Sequence, residues 1–587
     1  MPSSLVRDEA LNRLRNDIPA RWPGAEELTP ETLRARFPKR SQLVAGWRLP
    51  GAMQEHPHEV LVLFDERTPW TLPLVALPAP TGGVSYPHLE GDGHLCLTPS
   101  GTAYELPVEL KHVEQLVADA DAVMAAGRSG ANDDDFYSEA HSYWTLVEPS
   151  RSELWLTAPA PSNHCLWFAN RHGEDWVVGP ARETVSAWLA QSGRKGGACE
   201  PCVVIRLGAP LHPRDYPLTA ADLLTFAAAA GCAGLVSEAL KKWSAKQALP
   251  VLIVYPHAGK DVLLGGLLAP PGSVRMPGAK HNGVPGFRHV PSRNGNARGA
   301  ALAAAGGRFA HVRAVPVYRD YLVGRTTGQV SASLSDAHVV VAGCGAIGGQ
   351  LARQLAQAGV GRLTLLDDDG FTWQNVGRHV LDGRSVGKWK TQELAAVIRS
   401  SFPDITVDAM VAPWDGLTPA QWTQVDSADL WISATGDAAS NQHLDDLVAS
   451  GEAPATVFCW LEPFAVAGHA VLHLPGSGRL RGLTDQAGRL LEPVSDLLSA
   501  PAPPREPSCG AFYQPYSSLA SLSAVALAGE LVLDALAGKA TVSTHRVWVG
   551  SAEAFGSNGL QVHPAWHGRL NNFGYNRRFD MPVPPTL

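Results

Sequence analysis

At 587 residues, with hydrophobic residues at 45% and charged ones at 18%, the chain has ordinary globular composition and room for about three domains. A net charge of −8 with no dominant charge block disfavours a general nucleic-acid binder, which is usually basic. The charged start, Met1 to Asp17, is no signal peptide, and the two most apolar stretches are broken by acids (Asp222 and Glu238; Glu530 and Asp534), which disfavours a membrane span.

In chain order, three textures separate. Residues 1–148 open with an amphipathic helix around Asp8 to Ile18 and continue with strand-like runs such as Glu59 to Phe64. A turn-rich segment follows, Tyr86 to Gly101, and then a helical stretch from Pro107 to Ala126 with Leu110, Val113, Leu116, Val117 and Ala120 at helical spacing. That order predicts an α+β domain. Residues 149–312 carry strands at Val203 to Leu207 and Val251 to Tyr255 and an Ala-rich helix at Ala220 to Ala230. They read as a mixed α/β connecting domain that ends in a Gly-, Pro-, Arg- and Asn-rich loop or linker over 271–308. From 313 to 587 the texture is α/β: His338 to Ala342 reads as a buried parallel strand, a Gly-rich turn and helix follow, and Leu363 to Leu366 is the next strand.

The turn is Gly343-Cys344-Gly345-Ala346-Ile347-Gly348, a G-x-G-x-x-G between strand and helix. Gly343 permits the tight turn, Gly345 lets backbone approach a phosphate, and Gly348 allows close helix packing, while the helix N-terminus offers N–H donors to the phosphates. Asp367 after the second strand is spaced for a ribose hydroxyl. These features alone fit an NAD-dependent dehydrogenase equally well. The residues that follow separate the two readings. The run Leu365-Leu366-Asp367-Asp368-Asp369-Gly370-Phe371-Thr372-Trp373-Gln374-Asn375-Val376-Gly377-Arg378-His379, then Gly387-Lys388-Trp389-Lys390 and Ser433-Ala434-Thr435-Gly436-Asp437, resembles the adenylation motifs of the ThiF/MoeB and ubiquitin-activating family, in order, over about Arg319 to Ala537. The resemblance implies a Rossmann-like domain with a mostly parallel sheet that binds ATP. It implies that Arg378 and Lys390 hold phosphates, that Asn375 orients them, that Asp369 belongs to the nucleotide site, and that Asp437 holds Mg²⁺. It also implies an arginine contributed by a partner subunit, at Arg319 or else Arg325, and hence a homodimer. Cations suit the chemistry, because a carboxylate must attack the α-phosphate as pyrophosphate departs.

Many sulfur-carrier activators in that family hold zinc with two C-x-x-C pairs. Here one pair exists, Cys199-Glu200-Pro201-Cys202, outside the adenylation region, so no structural zinc is expected there; the two thiols read as lying in a loop. Eight scattered cysteines without an export signal fit a reduced, cytoplasmic compartment and leave individual thiols available for chemistry.

Two thiols stand out. Cys509, in Pro507-Ser508-Cys509-Gly510-Ala511-Phe512-Tyr513-Gln514-Pro515-Tyr516-Ser517, precedes a long apolar helix, Leu519 to Leu536, and its C-x-x-x-Y-x-P-Y-S pattern resembles the thioester cysteine of bacterial ubiquitin-activating-like proteins. Cys96, in Tyr86-Pro87-His88-Leu89-Glu90-Gly91-Asp92-Gly93-His94-Leu95-Cys96-Leu97, resembles the ubiquitin-conjugating signature H-P-N-x-x-x-x-G-x-I-C-L, with the steps from proline to glycine to cysteine preserved. The asparagine that stabilises the oxyanion is His88 here, so either an N–H donor or a base stands at that position. Asp135 to Trp144 resembles an aromatic closing segment of prokaryotic conjugating-like domains.

Together the two signatures resemble the fused conjugating enzymes of bacterial antiphage operons, notably the Cap-type fusion of CBASS. That resemblance implies ATP-dependent activation of a protein ending in glycine, either a cGAS-like nucleotidyltransferase or a ubiquitin-like protein. A thioester relay from Cys509 to Cys96 and an amide on a target lysine would follow, with neither nucleic acid nor membrane as partner. A sulfur-carrier or peptide adenylyltransferase without conjugation is the alternative.

Overall fold

The computed structural model describes every residue except 1, 56–57, 79–85, 98–103, 148, 271–305, 328–331, 497–514 and 585–587. Cys509 and all but the last residues of the 271–308 stretch therefore lie outside the described residues. The chain divides into two compact units, Met1–Val185 with Gly196–Val315, and Ser186–Lys195 with Pro316–Leu587.

The first unit holds two β structures. An antiparallel sheet is built in sequence order from β1 (Glu26–Glu27), β2 (Leu43–Pro50), β3 (Glu59–Asp65), β4 (Leu74–Ala76) and β5 (His94–Leu95). Helices α1 (Pro2–Arg21), α2 (Pro30–Arg36) and α3 (Leu110–Ser129) accompany it. Leu11, Leu14 and Ile18 of α1 and Val113, Leu116, Val117, Ala120 and Met124 of α3 bury their helical stripes with Trp47, Val60, Val62 and Phe64 of β2 and β3. This is the α+β arrangement expected from the spacing. The segment from Asp135 to Trp144 is two short helices, α4 (Asp133–Ser138) and α5 (Ala140–Val147).

The middle region is a closed barrel of β6 (Pro149–Leu156), β7 (Cys165–His172), β8 (Asp175–Gly179), β9 (Cys199–Arg206), β10 (Leu249–His257), β11 (Lys260–Leu268) and β12 (Phe309–Pro316), in the order β10-β11-β12-β6-β8-β7-β9. β9 and β10 pair in parallel and complete the ring. The Cys199–Cys202 pair lies in β9 and not in a loop, with Cys202 fully buried. Successive side chains of a strand alternate faces, so residues three apart point to opposite sides. That geometry explains why this spacing does not assemble a two-thiol chelate here.

The second unit is an α/β domain around an eight-stranded sheet ordered β15 (Thr406–Met410), β14 (Arg362–Leu366), β13 (His338–Ala342), β16 (Leu430–Ser433), β17 (Thr456–Leu461), β18 (Ala467–His473), β19 (Thr544–Val549) and β20 (Arg577–Pro582). The first five are parallel and the last three antiparallel. β13 lies between β14 and β16, so the connections diverge there, and ligand crevices of open α/β sheets form outside the strand carboxyl ends at such points. The helix Ser518–Leu536 is long and apolar enough to cross a membrane by length and composition. Its Ala524, Val525, Leu527, Ala528, Leu531 and Val532 are buried in the core of this domain, and that packing accounts for the apolarity of this face.

Candidate active site

The first site sits at the divergence of β13. Gly343 turns at φ +85, and a Cβ there would lie 2.8 Å from the Ala434 carbonyl. A Cβ on Gly348 would lie 1.8 Å from the Gly343 carbonyl oxygen, whereas one on Gly345 would meet nothing within 4 Å. Two of the three glycines are thus demanded by the fold, and the middle one faces open space. A Gly345→Ala chain is expected to melt like the wild type but to gain less stability from ATP, and Gly348→Ala is expected to lose stability outright. Thermal melts with and without ATP check both, and an undiminished ATP shift in Gly345→Ala would count against a phosphate at this turn.

Asp367 closes the loop from β14. Its carboxylate accepts the Cys344 N–H at 2.7 Å and the Asp369 N–H at 2.8 Å. Burial pushes its pKa up, against the pull of Lys390. Lys390, 6% exposed at the start of the helix Lys390–Ser401, places Nζ 2.6 Å from Asp369 Oδ2 and 3.9 Å from Asp367 Oδ1. Two adjoining hollows of about 600 and 580 Å³ share Gly345, Asp369, Lys390, Ala434 and Thr435 as walls. Asn375 and Arg378 line the first, and Asp367, Asp368 and Asp437 line the second.

The Asn375 carbonyl oxygen accepts from the Thr372 N–H and hydroxyl at 3.0 and 3.1 Å, so its amide nitrogen is the end with donors to offer. The Arg378 guanidinium lies 5.4 Å from the Tyr516 ring centroid. Asp437 is exposed at the N-cap of the helix Ala438–Ser450 and accepts the Ser440 N–H at 2.6 Å. Carboxylate oxygens of Asp367, Asp368 and Asp369 lie within 4.8 Å of one another, a donor set that suits a hard divalent cation, with Asp437 on the same wall. The residues present therefore fit a nucleoside triphosphate with its magnesium.

Arg319 is placed elsewhere. Its guanidinium donates to the Ser335 carbonyl at 3.2 Å and to Asp320 at 3.2 Å, and its backbone N–H donates to Asp404 at 2.9 Å. It does not line the cleft of its own chain. The Arg325 side chain is outside the described residues.

Sequence reasoning did not find Glu462, which lines the same cleft from the end of β17. Its buried carboxylate accepts from Val494 N at 2.6 Å, from Ser495 N at 2.7 Å, from the Ser495 hydroxyl at 2.6 Å and from His469 Nε2 at 2.9 Å. His469 in turn meets His545 at 3.0 Å, and burial holds the His545 imidazole well below its usual pKa. Despite the cost of burial, the donors from His469 and Ser495 hold the Glu462 carboxyl below its usual range. No local motif marks this group, because its partners come from neighbouring strands and a distant segment.

The second site lies in the first unit. Cys96 is exposed, two residues past the start of β5. Its N–H donates to the His88 carbonyl at 2.8 Å. His88 has φ +63, in the left-handed region where Asn, Asp and His are enriched, so it holds a backbone shape that suits asparagine equally well. Its Nε2 lies 3.1 Å from Asp135 Oδ2 and its Nδ1 3.6 Å from Glu139 Oε2. Partial burial, then Glu139 and Glu90, push the Cys96 thiol pKa up.

A glycine loop, a buried lysine and an acid cluster at the carboxyl ends of parallel strands define a nucleotide-binding domain of the adenylating class, and an exposed cysteine follows a short antiparallel sheet in the first unit. Residues 319–479 match the ThiF family and residues 21–152 match the Prokaryotic E2 family B, so the chain joins a prokaryotic E2-type domain to a ThiF domain. Among its relatives are ATP-dependent ubiquitin transferase-like proteins Cap2. The one from Pseudomonas aeruginosa is 29% identical over 210 residues, 35% of this chain and 37% of that protein. The one from Vibrio cholerae is 27% identical over 239 residues, 37% of this chain and 38% of that protein. The adenylyltransferase and sulfurtransferase MOCS3 of Mus musculus is 46% identical over 67 residues, 11% of this chain and 15% of that protein. These matches span less than two fifths of the relatives' lengths. A crystal structure of E. coli MccB is similar at 16% identity and a TM-score of 0.31, covering 45% of this chain and 66% of that one.

Proposed function

We propose that the chain adenylates the C-terminal glycine of a protein with ATP, carries it as a thioester at Cys509 and then at Cys96, and joins it to a target lysine. The observation that carries this reading is the pairing, in one chain, of a cation-lined adenylating cleft with an exposed cysteine in an E2-type domain. Lys390 and Arg378 would neutralise the phosphates, Asn375 would orient them, and Gly343, Gly345 and Gly348 would bring backbone donors to them. Asp367 would take the ribose. Asp437, with Asp369, would hold Mg²⁺, which would offset charge on the departing pyrophosphate. The substrate would be a cGAS-like nucleotidyltransferase or a ubiquitin-like protein in a bacterial antiphage system, in the cytoplasm. The working division is a conjugating domain over 1–148, a connecting domain over 149–312 and an adenylating domain over 313–587. Two copies would pair through the adenylating domains, with Arg319 or Arg325 reaching the partner's cleft. Because Arg319 is bonded within its own chain, that role requires it to leave Ser335 on pairing.

The test is ATP–pyrophosphate exchange driven by a cGAS-like or ubiquitin-like protein encoded beside this chain, followed by non-reducing gels. Exchange together with a reducible, ATP-dependent adduct supports the reading. Exchange without any cysteine-linked adduct overturns it in favour of a peptide or sulfur-carrier adenylyltransferase.

A further inference from the structure

Tyr143 and Trp144 are neighbours on α5 that serve two different structures. The Trp144 indole N–H donates to the Gly265 carbonyl of β11 at 2.6 Å, and its ring stacks on His311 of β12 with centroids 3.7 Å apart. His311 also sets a ring nitrogen 2.9 Å from the Trp144 carbonyl. Phe136, Ala140, Tyr143 and Trp144 all belong to the hydrophobic core that includes the barrel strands β9 to β12, not to the core between the E2-type sheet and its helices. By packing, α4 and α5 are part of the barrel.

Their polar atoms nevertheless meet the loop that carries Cys96. The Tyr143 hydroxyl accepts the His88 N–H at 2.8 Å and donates to Glu139 Oε2 at 3.2 Å. The His88 carbonyl then accepts the Cys96 N–H at 2.8 Å. One hydroxyl thus ties down the left-handed residue that supports the cysteine and orients the Glu139 carboxylate, 3.6 Å from the His88 ring. The Tyr143 side chain is itself buried, which holds its hydroxyl in place.

We propose that Tyr143 is a positioning residue for acyl transfer from Cys96 to an amine, and that the barrel exists in part to hold it there. This rests on the conjugating reading given above. In the step concerned, the amine nitrogen bonds to the acyl carbon as the carbon–sulfur bond breaks. The electron pair stays on the Cys96 sulfur, and a proton from the nitrogen ends there, leaving an amide and a free thiol. The amine is drawn in beside Glu139 and His88 as a cation and gives one proton to water before its neutral nitrogen attacks, so this step depends on where Tyr143 sets those two groups. Loading of Cys96 exchanges one thioester for another and needs no such approach, and neither does attack by neutral water.

The test bypasses the unidentified substrate. The full chain carrying Cys509→Ala is loaded with a short synthetic peptide thioester ending in glycine, the adduct is mapped to Cys96 by mass spectrometry, and free lysine is added. Tyr143→Phe keeps the ring and its edge-on contact with Phe136 at 5.0 Å, so the fold is retained. At a pH high enough to ionise the Cys96 thiol, the expected result is unchanged loading and unchanged hydrolysis, with lysine product forming roughly tenfold more slowly. Trp144→Phe, which removes the bond to Gly265, should act in the same direction through the barrel alone. Equal lysine rates in Tyr143→Phe and its parent overturn the inference and leave conjugation standing. A parent chain that loads Cys96 but yields no lysine product removes conjugation and the inference together.

Discussion

Lys390→Ala is expected to lower ATP–pyrophosphate exchange by roughly ten- to a hundredfold at saturating protein substrate. Lys390 is nearly fully buried, and the carboxylates of Asp367 and Asp369 hold its ammonium at the floor of the cleft. A charge-assisted contact of this kind is worth about 1.5–3 kcal/mol, and every 1.36 kcal/mol is about a factor of ten in rate. The effect should exceed that of an exposed lysine because little water remains to take over the task. A second consequence separates chemistry from folding. Asp367 already has a raised pKa from burial, opposed by Lys390, so removing the lysine raises it further. Lys390→Arg keeps the charge and should keep the fold while losing the fit to a single phosphate, whereas Lys390→Ala should also cost some stability. Exchange unchanged in Lys390→Ala, with a melting temperature like the wild type, would remove this lysine from the phosphate site.

The nucleotide cleft was legible in the sequence because its parts are local. The strand His338–Ala342, the glycine turn and Asp367 fall within one βαβ unit, and each residue type there answers a backbone or charge requirement that neighbours in sequence impose. The barrel was not legible. Its ring closes through pairs such as Leu268 with Phe309, on either side of a long intervening segment, and through the parallel β6–β8 and β9–β10 pairs, for which no turn signal exists. The Glu462–His469–His545 group was hidden for the same reason, since His469 and His545 meet only because β18 lies beside β19. The opposite failure is instructive too. The C-x-x-C spacing of Cys199 and Cys202 reads as two thiols in a loop, but the strand around it, Val203 to Ile205 included, is β-branched and buried, and the ladder sets the geometry. Position before the glycine turn assigns Arg319 to a partner's cleft, whereas in the structure its side chain holds the Ser335 carbonyl.

The largest effect expected at the second site is complete. Cys96→Ala should abolish lysine-linked product while leaving ATP–pyrophosphate exchange intact, because the exposed thiol in the E2-type domain is the group from which an amine would take the acyl chain. A reducible adduct should then accumulate at Cys509. The chemistry of Cys96 adds a pH signature. Partial burial and the carboxylates of Glu139 and Glu90 hold its thiol above the usual range, so the thiolate that accepts the acyl group is scarce near neutrality. Loading of Cys96 should therefore speed up as pH rises, over a range in which adenylation, governed by the phosphate cleft, changes little. Glu139→Gln should shift that rise to lower pH, since it removes the larger of the two carboxylate effects on the thiol. His88→Ala should act later, keeping the Cys96 adduct and slowing its discharge. Cys509→Ala should leave adenylation intact and remove every thioester, Cys96 included. Non-reducing gels and mass spectrometry on these variants, with ATP and a protein ending in glycine, decide between two routes: if Cys509→Ala still loads Cys96 at the normal rate, the acyl group passes to Cys96 directly from the adenylate and the relay through Cys509 is wrong.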